Sequence, residues 1–161
     1  FRSMAAWGRK SVSGAKGRVN GKGQKYANKK IEYKGHLFDS KLELFCFQKM
    51  EYMGIEFDFQ VPILLIPKFK NFENRTVRST KIVLDFVIHT DDCTYYVDAK
   101  GQETPEFRIK WKLLERKIMR SKTRTKDYKM ILLKGDVSHP RSLNGILVKL
   151  KSIKNHQSGS K

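Results

Sequence analysis

Two apolar runs, each interrupted by a carboxylate, set the strongest limit on how this chain can fold. Lys81-Ile82-Val83-Leu84-Asp85-Phe86-Val87-Ile88 holds Asp85 among β-branched and aromatic neighbours. Thr94-Tyr95-Tyr96-Val97-Asp98-Ala99-Lys100 ends on a second acid and a lysine. Such runs suit buried strands. A carboxylate inside one loses hydration and must be compensated by a metal, a cation or hydrogen bonds. Thr90-Asp91-Asp92-Cys93 reads as a turn, so the strands are expected to pair as a hairpin and bring Asp85 and Asp98 within reach of one ion. Alternation groups Asp85 with Val83 and Val87, away from Leu84 and Phe86, and groups Tyr96 with Asp98 and Lys100. Magnesium binds carboxylate oxygens while keeping several waters, so a few protein carboxylates suffice. Lys100 would orient or help deprotonate an attacking water, or steady charge on a phosphate. That combination fits metal-assisted cleavage of phosphodiesters. The plain alternative is a structural Asp–Lys pair at a strand end.

The remaining pattern surrounds this hairpin. Structure is expected to start near Tyr33-Lys34-Gly35-His36-Leu37-Phe38. Asp39-Ser40 opens a helix to about Met53, ended by Gly54, with Phe38, Leu42, Phe45, Cys46, Lys49, Met50 and Met53 at helical spacing. Residues 56–61 alternate and lead into Ile63–Ile66, a strand broken by Pro62 and stopped by Pro67. Residues 68–80 are polar and basic and read as a hairpin loop. Pro105 suits the first turn of a helix over about 106–120. Tyr128–Leu133 is a further strand, and Leu143–Ile153 a last short helix. The order α-β-β-β-α-β predicts an α/β domain with a mixed central sheet flanked by helices.

Glu43 has two readings. Ser40-Lys41-Leu42-Glu43 matches the capping box, in which the glutamate reaches back to the helix N-terminus. The same turn would let Glu43 serve as a third acid beside Asp85 and Asp98. The residues divide these evenly.

Charge narrows the partner. Lys and Arg number 34 against 16 Asp and Glu, a net +18, which favours a polyanion because each phosphate contact releases counterions. Hydrophobic content of 39% argues against wholesale disorder. Residues 1–32 form a basic, Gly-rich arm expected to be flexible and to track nucleic-acid backbone. Residues 33–154 form the folded domain, and 155–161 a disordered tail. In the 106–120 helix, Arg108, Lys110, Lys112, Arg116, Lys117 and Arg120 oppose Phe107, Trp111, Leu114 and Ile118, an amphipathic split that aims charge at phosphates. Lys41 joins them as an expected DNA contact, and Arg75, Arg78 and Lys81 could flank the same cleft. Gln60, His36 and His89 are weaker candidates for metal, substrate or proton transfer.

Two cysteines, Cys46 and Cys93, make neither a zinc site nor a disulfide framework and point to a reducing, cytoplasmic setting. No apolar run reaches membrane-span length. No signal-peptide core stands at the start, and Phe1-Arg2-Ser3 ahead of Met4 reads as an addition to a native start.

Helix-borne Glu43, strand-borne Asp85 and then Asp98-x-Lys100 resemble the PD-(D/E)xK nuclease superfamily, whose common core has the same α-β-β-β-α-β order. More narrowly, the run from Tyr33 to Glu43, Val97-Asp98-Ala99-Lys100-Gly101 and Phe107-x-x-Lys110 resemble small phage-encoded nucleases grouped with Holliday-junction resolvases. The resemblance spans roughly 33–134. It implies a restriction-endonuclease-like core and magnesium-dependent DNA cleavage, with manganese able to substitute. Asp85 and Asp98 would be ligands, the Ala99 carbonyl a further one, Glu43 a support for the metal and Lys100 catalytic. Leu84 stands where the motif name has proline, and Asp98 replaces the commoner glutamate, which alters ligand reach.

The expectation is a structure-selective, junction-resolving endonuclease. Symmetric cleavage of a four-way junction implies a homodimer, for which the strand around Ile63–Ile66 is a candidate surface. The alternatives are a nicking or recombination-type nuclease on duplex DNA, or a non-catalytic basic nucleic-acid-binding protein. Against the last, a binder of polyanions gains nothing by placing carboxylates in hydrophobic strands, and RNP-type aromatic motifs are absent.

Overall fold

The structure, a computed structural model, describes residues 30–121 and 125–158, and the basic segment 1–29 lies outside them. In chain order the elements are β1 (Ile31–Tyr33), β2 (His36–Phe38), α1 (Lys41–Tyr52), β3 (Asp58–Ile66), β4 (Phe69–Lys70), β5 (Thr76–Val77), β6 (Thr80–His89), β7 (Cys93–Lys100), α2 (Pro105–Met119), β8 (Asp127–Lys134), a 3-10 turn (Pro140–Leu143) and α3 (Asn144–Ser158). The central sheet has the order β3-β6-β7-β8. β3 and β7 both run antiparallel to β6, and β8 runs parallel to β7, so the sheet is mixed. The parallel step is made by α2, as a crossover must be.

Each face of the sheet carries its own core. On one, α1 contributes Leu42, Cys46, Phe47 and Met50 and α3 contributes Ile146, Leu150 and Ile153, packed on Phe86, Ile88, Tyr95, Val97 and Leu133. On the other, Leu114 and Ile118 of α2 pack on Ile82, Leu84 and Val87, with Val61, Ile63, Tyr96 and Met130 around them. This is a mixed α/β domain with helices on both faces. Among the described residues no helix is long and apolar enough to cross a membrane.

Several expectations change. Among the described residues the first strand starts at Ile31, inside the segment assigned to the arm, because Lys34 and Gly35 both adopt positive φ (51° and 77°) and close a tight β1–β2 hairpin. Phe38 at its end stacks on Phe47 and Phe59, which pins the hairpin and α1 to the sheet. Pro62 does not break β3. The strand is continuous and pairs through Pro62↔Val83, and as an edge strand it tolerates a residue without an amide donor. Residues 155–158, placed in a disordered tail, continue α3, whose side chain Gln157 donates to the carbonyls of Glu56 (3.1 Å) and His89 (3.4 Å).

Simple alternation also fails at Asp85. Leu84 and Phe86 lie in opposite cores although they are two residues apart, and so do Val61 and Phe59 on the neighbouring strand. The β3–β6 register is unchanged across this point but omits the Gln60–Asp85 pair. Gln60, opposite Asp85, has a φ of 51°, and both strands change face at this pair. Asp85 therefore sits at a coordinated kink, grouped with neither Val83, which is exposed, nor Val87, which is buried under α2.

Candidate functional site

The β6–β7 ladder ends at Phe86↔Val97, just short of both acids. Beyond it the Asp85 side chain takes over: its Oδ2 accepts from the Ala99 amide at 2.7 Å. The residue expected to offer a carbonyl to metal thus offers its amide to Asp85. Asp98, one position earlier, is fully buried. The Lys100 ammonium stands 2.9 Å from Asp98 Oδ2. That ammonium and the Asp85 amide both draw on the carboxylate and offset part of the burial cost, although their approach is poorly aligned. Both Asp98 oxygens are left without a hydrogen-bond donor among the described residues. Buried carboxylate oxygens in that state are costly, and the raised proton affinity of Asp98 shows that Lys100 alone does not supply enough positive charge.

Glu43 performs the cap and faces the acids. The Ser40 hydroxyl accepts from the Glu43 amide at 3.1 Å, and Glu43 Oε2 accepts from the Asp39 amide at 2.8 Å, one residue before the position expected for a capping box. Glu43 is nevertheless buried. Its Oε1 accepts weakly from Gln60 Nε2 (3.4 Å), which also donates to the Leu37 carbonyl at 2.8 Å. Gln60 is thus a brace between the kink, the β1–β2 hairpin and Glu43.

The electrostatics are those of a site short of positive charge. Burial, then repulsion from Asp98, pushes the Asp85 carboxyl up to about 7, against the pull of Lys100 and the Ala99 amide. Burial also raises Asp98 and Glu43. For Lys100 burial opposes the charge, but Asp98 and Asp85 outweigh it and the ammonium is held more firmly than usual. Three acids with raised proton affinity share one lysine. Such a donor set suits a hard dication held by Asp85 and Asp98 with water completing its shell. Among the described residues no group of three or more His, Cys, Asp or Glu side chains is placed to hold a metal ion together.

Two neighbours escaped the sequence reading. Phe107, assigned to the apolar face of its helix, lies under the Lys100 ammonium at 5.2 Å and against Trp111. Thr104 Oγ1 caps α2 by accepting from the Phe107 amide at 3.2 Å and so fixes that ring. Buried Cys46, one turn after Glu43, has its thiol pushed up to about 12 by burial and then by Asp85 and Glu43, so it is an inert wall of the site.

The expected phosphate-binding residues are only partly free. Arg108 faces Glu103 at 3.6 Å, and Glu103 also pairs with Lys134. Lys110 pairs with Glu106 at 2.6 Å, and Lys117 donates to the Leu64 carbonyl at 2.6 Å. Lys41, Lys112 and Arg116 are exposed. The Lys117 contact covers part of the β3 edge, the candidate dimer surface. His36 stacks on Phe47 and Phe59, and His89 sits at a strand end beside Asp58 (3.6 Å) and Thr94, so neither joins the acids. A cavity of about 970 Å³ between α2 and the sheet, lined by Ile63, Leu65, Tyr96, Leu114, Ile118 and Tyr128, is separate from Asp85, Asp98 and Lys100.

No curated protein and no solved structure matches the chain. The profile of one family, described as proteins of unknown function (DUF1064), matches residues 23–133, which contain β1 through β7, α2 and all but the last residue of β8. That span includes Glu43, Asp85, Asp98 and Lys100, and the chain belongs to the DUF1064 family.

Proposed function

We propose that this chain is a metal-dependent DNA endonuclease with a restriction-endonuclease-like core of the PD-(D/E)xK kind, acting on branched DNA as a homodimer. The observation that carries the reading is Asp98, fully buried, with no well-aligned hydrogen bond to either oxygen and with Asp85 and Lys100 beside it. A purely structural Asp–Lys pair would be expected to align its hydrogen bond and satisfy both oxygens. Asp85 and Asp98 would hold magnesium or manganese, which when bound would supply an activated water and neutralise phosphate charge. Asp85 is oriented for this by the Ala99 amide, which occupies one of its oxygens and leaves the other. Lys100, held between Asp98 and the Phe107 ring, would place its ammonium against the scissile phosphate or the attacking water. Glu43 would hold the first turn of α1 and add negative charge behind the ion. Net charge of +18 supports a nucleic-acid substrate.

The test is cleavage of a four-way junction, a fork and a linear duplex of the same sequence in magnesium and in manganese. Junction cutting that disappears in Asp98→Asn supports the reading. Absence of cutting on every substrate in either metal removes it.

A further inference from the structure

The chain spends an aromatic ring where folding gains nothing from it. Phe72 is fully exposed at the tip of the β4–β5 hairpin. Every residue from Pro67 to Ser79 except Asn71 is exposed, so the hairpin stands out from the domain. Its tip is nonetheless built. The Asn71 amide donates to the Arg75 carbonyl at 3.0 Å, and Asn71 Oδ1 accepts from the amides of Glu73 (3.1 Å) and Arg75 (2.9 Å). Asn74 takes the left-handed conformation (φ 59°) that closes the turn. A ring held out on such a turn has lost much of its freedom before it meets a partner, which lowers the cost of binding.

The flanks say what that partner is. Lys68, Lys70, Arg75 and Arg78, all exposed, flank the ring in the chain, and the single acid between them, Glu73, lies 3.0 Å from Arg75. Aromatic rings interleaved with cations match a strand of bases linked by phosphates. The hairpin also leads directly into β6, and Asp85 lies five residues beyond Thr80. At strand spacing this puts the base of the hairpin roughly 16 Å from the acids, within the span of a few nucleotides.

We propose that the β4–β5 hairpin is a DNA-contacting finger: Phe72 stacks on an unpaired base or wedges into an opened base step, while Lys68, Lys70, Arg75 and Arg78 hold the adjacent phosphates. This rests on the DNA partner of the preceding reading and adds to it how branched DNA is distinguished. An unpaired or easily unstacked base is available at a branch point, whereas in uninterrupted duplex it must first be pulled out of the stack.

The experiment uses the full chain without divalent metal, so that nothing is cut. Its probes are a four-way junction and a linear duplex, each with 2-aminopurine at the position that forms the branch in the junction. Wild type is expected to bind the junction and raise its 2-aminopurine fluorescence. Phe72→Ala should weaken junction binding by roughly tenfold and abolish the fluorescence rise, and Phe72→Trp should restore both. Melting temperatures should agree across the three, because the ring is fully exposed and packs on none of the described residues. Junction binding and fluorescence unchanged in Phe72→Ala would overturn the finger. So would a loss confined to self-association in sedimentation, or to binding of phosphatidylserine vesicles. Wild type that lights the probe but never cuts in magnesium or manganese removes the nuclease reading and leaves the finger. Phe72→Ala that cuts junctions in magnesium as fast as wild type removes the finger alone. Wild type that binds no DNA removes both.

Discussion

Asp98 is the residue on which the chemistry turns. Its burial is only partly compensated, so replacing it by asparagine should relieve the protein while disabling it. Asp98→Asn and Asp85→Asn are each expected to fold, to keep DNA affinity and to lose at least a hundredfold in cleavage, because a neutral amide is a poor ligand for a hard dication. Chemical denaturation beside a cleavage gel checks this, and full activity in either variant removes the site. Lys100→Ala separates ion holding from catalysis. It removes no ligand, so calorimetric metal affinity should persist while single-turnover cleavage slows. Glu43→Gln tests the double role read from its contacts: glutamine can accept from the Asp39 amide and keep the cap, so the melting temperature should barely move while activity falls. Turnover equal to wild type would reduce Glu43 to a cap. At this scale the sequence named the acids and the lysine because each breaks a local pattern. It did not show that Asp98 would be orphaned or that Phe107 would lie beneath Lys100, since both depend on packing between α2 and the end of β7.

At the scale of elements, the helices and strands were legible wherever periodicity was long and caps were marked, as in α1 between Ser40 and Gly54 and α2 after Thr104-Pro105. Pro62 misled because its cost depends on whether the strand is at an edge, and sheet order is not a local property. The kink at Gln60 and Asp85 was hidden for a related reason. Both residues are polar on otherwise apolar strands, but only their pairing turns two separate oddities into one reversal of faces. The kink predicts an unusual order of stabilities. In a regular strand valine is preferred over alanine, and alanine over glycine. At a φ of 51° the order should invert, with Gln60→Gly at least about 1 kcal/mol more stable than Gln60→Val and Gln60→Ala between them. All three lose the same contacts to Leu37 and Glu43, so the comparison isolates the backbone. Urea denaturation of the three variants decides it, and the ordinary strand order would mean that Gln60 is not left-handed.

At the scale of the whole molecule, two charge imbalances oppose each other: a cation-rich chain built around an acid-rich site. The site makes stability depend on pH in a definite direction. Asp85, Asp98 and Glu43 all hold protons more tightly folded than unfolded, so between about pH 4 and pH 7 the folded state binds more protons. Stability of the metal-free protein should therefore fall as pH rises through that window, by an amount on the order of a few kcal/mol, and level off above the Asp85 value of about 7. Saturating magnesium should flatten the profile, because an ion replaces the protons and its affinity for the folded site rises with pH. Thermal melts across pH 4–8, with and without magnesium, give the measurement. A metal-free protein whose stability rises with pH over that range would show that the acids are not buried together. Asp85→Asn supplies the internal control: it deletes the strongest titration, so much of the slope should vanish with it. If the slope survives, the dependence belongs to other groups and the acid cluster is not what the folded chain is working against.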